Sequence, residues 1–106
     1  MIVHCVSIKW SEAAGEEQIA AFTTALEEIA ELPVVESLVC GPNLGFNPKT
    51  AGTCDYGFVV HLADPEAMRS YLDHPQHQAL AALLAPLVAS LTSLQLEAPD
   101  EPSAAT

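Results

Sequence analysis

Residues 2–10, IVHCVSIKW, alternate: Ile2, His4, Val6, Ile8 and Trp10 fall on one side of an extended chain, and Val3, Cys5, Ser7 and Lys9 on the other. Successive side chains of a strand point to opposite faces, and β-branched residues suit a pleated surface. The constraint lies in the two faces together. Both carry apolar groups, so this strand belongs inside a sheet that needs cover on each side.

The rest of the chain supplies part of that cover. In SEAAGEEQIAAFTTALEEIAEL, Ile19, Phe22, Leu26 and Ile29 recur at helical spacing with glutamates on the remaining faces. Ser11 or Gly15 can open this helix, and Pro33 closes it. VVESLVCG reads as a second strand and PNLGFNPKTAGTCD as a turn-rich connection. YGFVVHLAD is a third strand, with Tyr56, Phe58, Val60 and Leu62 on one face and His61 on the other. Asp64 and Pro65 then have the chemistry of an N-cap and a first helical position. This short helix is interrupted at His74-Pro75, and a new one runs from Pro75 to about Ala85. Pro86 ends or kinks it, because proline lacks the backbone donor and clashes with the preceding turn. SLTSLQLEA alternates as a fourth strand, and PDEPSAAT has the composition of a disordered end. The reading is one domain over 1–97 with a tail over 98–106.

The order β-α-β-β-α-α-β defines an α+β, ferredoxin-like (split βαβ) plan: a four-stranded antiparallel sheet with helices on one face. The other face, with Val3, Cys5 and Val59, is too apolar to stay wet. A two-fold homodimer that buries it against its own copy is the simplest solution.

Charge narrows the partners. Fourteen acidic residues oppose three basic ones, Lys9, Lys49 and Arg69, for a net charge of −11. Such a surface repels phosphate backbones and anionic lipid, so neither nucleic acid nor membrane is an expected partner. Cys5, Cys40 and Cys54 form no CxxC pair and read as thiols of a reducing compartment. No leader-like N-terminus or membrane-length apolar run is evident, and the expected location is cytoplasmic.

The segment YLDHPQHQAL, residues 71–80, holds the candidate chemistry. His77 stands three residues before Leu80 and seven before Leu84, on the helix face that should be buried. A core histidine satisfied by backbone acceptors has the same spacing. His4 lies on the helix-covered face of the first strand and points into the same space. His74, before Pro75, suits an N-cap, and it is also a candidate to touch a ligand. His4, His74 and His77 bring no carboxylate or cysteine in a recognisable ligand pattern, so neither a metal nor another cofactor is expected.

These segments resemble the Dabb family, the stress-responsive dimeric α/β-barrel domains. The resemblance rests on IVHCVSIKW, on the loop CGPNLGFNP and, most specifically, on HPxH within YLDHPQHQAL; it spans residues 2–97. It implies two ferredoxin-like sheets closed into a barrel across a dimer. The family includes polyketide cyclases of the olivetolic acid cyclase type, which close a linear polyketide by aldol condensation. Carried over residue by residue, their catalytic histidine corresponds to His77, their active-site tyrosine to Tyr71, and their first-strand pocket histidine to His4. The function so implied is a cofactor-free cyclase or lyase acting on a small hydrophobic carbonyl compound. In that role His77 is general base, Tyr71 is electrophilic partner, and His4 and His74 contact substrate. The alternative is a non-catalytic barrel that binds a small molecule or serves stress tolerance.

Overall fold

The computed structural model describes residues 1–99; the expected tail falls outside the described residues from residue 100 onward. Four strands and three α-helices follow one another as β1 (Ile2–Trp10), α1 (Glu16–Ile29), β2 (Ser37–Pro42), β3 (Tyr56–Leu62), α2 (Pro65–Asp73), α3 (Pro75–Leu84) and β4 (Val88–Glu97). The sheet order is β2-β3-β1-β4 and every pairing is antiparallel. This is the ferredoxin-like arrangement that the sequence periodicities imply.

Three details differ from the sequence reading. The second strand opens at Ser37 rather than Val34, because the chain leaving α1 first turns through Ala30–Val35, where Val35 N–H bonds Leu32 C=O. The fourth strand starts at Val88, two residues early, because Pro86 is taken up in a single 3₁₀ turn, Ala85–Leu87. A tight turn of this kind tolerates proline at its start, where no donor is required. Ordered pairing also runs past residue 97: Ala98 N–H donates to Met1 C=O at 2.8 Å. Of the two helix openings considered for α1, Gly15 is the cap, its N–H bonded to Gln18 Oε1 at 2.7 Å.

The core lies between the sheet and the helices. Ile2, Val6 and Ile8 of β1 and Phe58, Val60 and Leu62 of β3 meet Phe22, Leu26 and Ile29 of α1, Met68 and Tyr71 of α2, and Leu80 and Leu84 of α3. One end of this layer is aromatic: Trp10, Tyr56 and Phe58 all surround Phe22 at centroid separations of 6.0 to 6.5 Å. The opposite sheet face is uncovered. Register places Val3 beside Leu96, Cys5 beside Leu94 and Val39 beside Val59, leaving an apolar surface with a 370 Å³ groove between β2 and β4. Val39, Leu94 and Leu96 are 65%, 45% and 54% exposed.

Candidate active site

The HPQH segment builds the site through its backbone. His74 precedes a proline, which bars it from helical conformation and holds it extended at φ −65°, ψ 136°. α2 therefore stops at Asp73, and His74 serves as the cap of α3. Its Nδ1 accepts from Gln76 N–H at 3.1 Å, and its own N–H donates to Tyr71 C=O at 3.2 Å. Pro75 takes the first helical position, where its missing donor costs nothing. The break between the helices places His77 against Tyr71, with ring centroids 4.7 Å apart.

β1 supplies the other wall. His4, buried at 5% exposure, lies 6.0 Å from Tyr71 and 6.4 Å from Phe58 between ring centroids. The sequence candidates thus separate into two groups. His4, Tyr71 and His77 come together, whereas His74 is engaged at the helix junction.

Beside this cluster a 220 Å³ cleft opens between α3 and the sheet. It is lined by hydrocarbon from Val6, Phe58, Leu72, Leu80, Ala81, Leu84 and Leu91, with His4, His77 and Ser93 as its polar groups. β4 contributes Leu91 and Ser93 to its wall, and Leu91 is 45% exposed.

Electrostatics keep the site uncharged. Burial lowers the pKa of His4 below its usual 6.5, and the nearby His77 lowers it further. Burial also lowers the pKa of His77, an effect partly offset by the nearby Leu72 backbone. A neutral imidazole carries one N–H and one bare acceptor nitrogen. Tyr71 is fully buried; desolvation pushes its pKa up to about 12, and its hydroxyl has no hydrogen-bond partner. An unpaired buried hydroxyl costs about 1–3 kcal/mol, and among the described residues the Ser11 hydroxyl shares this state.

One further residue belongs to the site and was not evident in the sequence. Gln95 lies directly opposite His4 in the β1–β4 register, and its Nε2 is 2.8 Å from His4 Nδ1. A glutamine in an alternating strand carries no signal of its own; only the pairing register could have revealed it. Among the described residues, no three His, Cys, Asp or Glu side chains gather to hold a metal ion. None of the helices there is long and apolar enough to cross a membrane.

The sequence profile of the stress responsive A/B barrel domain, Dabb, matches residues 2–98. The chain belongs to the Dabb family. Among solved structures, it resembles a dimeric ferredoxin-like protein of unknown function from Thermobifida fusca, at 30% identity and TM-score 0.79, with 90% of this chain and 88% of that one covered. A second dimeric ferredoxin-like protein of unknown function, from Jannaschia sp., shows 25% identity and TM-score 0.81 over 92% of this chain and 98% of that one. The hydroxynitrile lyase of Passiflora edulis matches at 14% identity and TM-score 0.76, with 96% of both chains covered, and at that identity the likeness concerns the fold. A search of curated proteins returned no match.

Proposed function

We propose that this Dabb domain catalyses a cofactor-free, aldol-type cyclisation of a small carbonyl compound of polyketide character, working as a homodimer. The observation that carries the reading is the state of His77. Burial disfavours its charged form, and it stands on an apolar cleft against the ring of a tyrosine whose hydroxyl is unpartnered.

The bare nitrogen of His77 takes a proton from a methylene flanked by two carbonyls. Tyr71 O–H donates to the enolate oxygen that forms, which supplies the partner its hydroxyl lacks. Because Tyr71 is enclosed in the free protein, substrate entry has to open a path to it. The carbanion attacks a more distant carbonyl of the same chain, one C–C bond forms, and the new alkoxide recovers the proton from the imidazolium. No electron acceptor is needed. The hydrocarbon lining and the net charge of −11 favour a neutral substrate over an acid.

Assembly follows from the uncovered sheet face. Val3, Cys5, Val39, Val59, Leu94 and Leu96 share one apolar face that a second copy would cover, and the similar Thermobifida and Jannaschia proteins are dimeric. Val59→Glu buries an unpaired carboxylate in that seam and should yield monomers or unfolded chain by light scattering. A wild-type monomer at micromolar concentration would contradict the dimer.

The activity is tested by incubating the wild-type protein with a linear poly-β-keto ester and following ring formation over the spontaneous rate. Acceleration supports the cyclase. Saturable binding of the same ester without acceleration would leave a ligand-binding barrel instead.

A further inference from the structure

The contact between Gln95 and His4 joins the last strand to the first. With its amide in this orientation, Gln95 brings Nε2 to 2.8 Å from His4 Nδ1, and because an amide nitrogen only donates hydrogen bonds, the ring nitrogen it meets is then the unprotonated one. The single proton of the neutral ring then sits on Nε2. We infer that Gln95 is a positioning residue that locks His4 as its Nε2–H tautomer, making His4 a fixed hydrogen-bond donor opposite the acceptor nitrogen of His77.

The two histidines of the cleft then have opposite roles. His4 accepts from Gln95 and offers a proton, which leaves the lone pair of neutral His77 as the base. A substrate carbonyl over His4 meets an N–H while the adjacent C–H lies toward His77. Two bare nitrogens would waste one base, and two N–H groups would leave none. Protonating His4 would also set an Nδ1–H against the Gln95 amide N–H, so the same contact resists charging of the ring. The side chains that face His4 from the other packed elements are Phe58 of β3, Tyr71 of α2 and His77 of α3. Tyr71 stays neutral well above physiological pH, so its phenol supplies no opposing charge.

Gln95 is exposed and sits on an edge strand, so it can be replaced without opening the core. The catalytic meaning of the lock rests on the proposed cyclase, but the lock itself is measured without substrate. Imidazole ¹⁵N chemical shifts of the full chain, recorded above the histidine titration range, distinguish the tautomers. In the wild type, Nδ1 of His4 should show the unprotonated shift and Nε2 the protonated one. In Gln95→Leu the two shifts should move toward each other as both tautomers are populated. In Gln95→Glu the pattern should invert, because a carboxylate only accepts and therefore selects Nδ1–H. A wild-type His4 protonated at Nδ1, or a His4 spectrum unchanged by both substitutions, would overturn the inference. Failure of the cyclase assay with the predicted shifts intact would count against the activity alone.

Discussion

The two ends of the layer between sheet and helices share the same strands, yet they are filled in opposite ways. Toward the C-terminal end of β1, Trp10, Phe22 and Tyr56 meet edge to face and tilted, closing the core with rings. Toward its N-terminal end His4, Tyr71 and His77 occupy the equivalent layer, and beside them a 220 Å³ cleft stays open. Phe58 touches both groups, 6.4 Å from Phe22 and 6.4 Å from His4. Burial is comparable, with Phe22 and Tyr71 both fully enclosed, so burial alone does not separate packing from function. Unmet hydrogen-bonding capacity does not separate them either, since the hydroxyls of Tyr71 at the polar end and of Ser11, next to Trp10, both lack a partner; what does is the pair of histidines on the cleft.

The largest effect should come from the aromatic end. Phe22→Ala empties a fully buried ring site and should cost about 3–5 kcal/mol of stability, read from urea or guanidinium midpoints. Any activity of the folded fraction should be preserved. A loss of activity per folded molecule would mean that the two ends are not independent.

Tyr71→Phe should do the reverse. Deleting an unsatisfied hydroxyl leaves the ring in place, so the melting temperature should hold or rise, while cyclisation slows by about 10–100-fold, equivalent to about 1.4–2.7 kcal/mol. A clear drop in melting temperature would mean that the hydroxyl has a structural partner.

The smallest effect concerns acid. Both His4 and His77 have folded-state pKa values lowered below 6.5, chiefly by burial. The unfolded chain therefore binds more protons than the folded one as pH falls through 6.5. The stability contributed by the neutral imidazoles is fully present above that value and declines below it, until the folded rings also titrate. Denaturation midpoints should fall between neutral pH and pH 5, and the slope should shrink in His77→Ala. An equal slope in the variant would remove His77 from the account.

The fold was legible because its signals are local. Alternation in IVHCVSIKW and YGFVVHLAD, the Asp64-Pro65 start and the His74-Pro75 break each act within a few residues, and the structure uses each of them. The His4, Tyr71 and His77 cluster was legible in part: face assignments direct His4 and His77 into one layer, whereas Tyr71 came only from the family resemblance. Gln95 was not, since its importance depends on pairing with a residue 91 positions away. The enclosure of Tyr71 was equally hidden, because a tyrosine on a helix face reads the same whether its hydroxyl reaches water or not. The early start of β4 was missed because Pro86 signals a break without saying that one tight turn suffices to leave the helix.

Whether the polar end serves proton transfer or packing is decided by His77→Ala, with turnover and melting measured on the same preparation. Turnover should fall by about 10²–10⁴-fold, with the melting temperature close to wild type because His77 is only half-buried at the cleft wall. Unchanged turnover with a sharply lowered melting temperature would contradict a role in proton transfer and make His77 a core histidine.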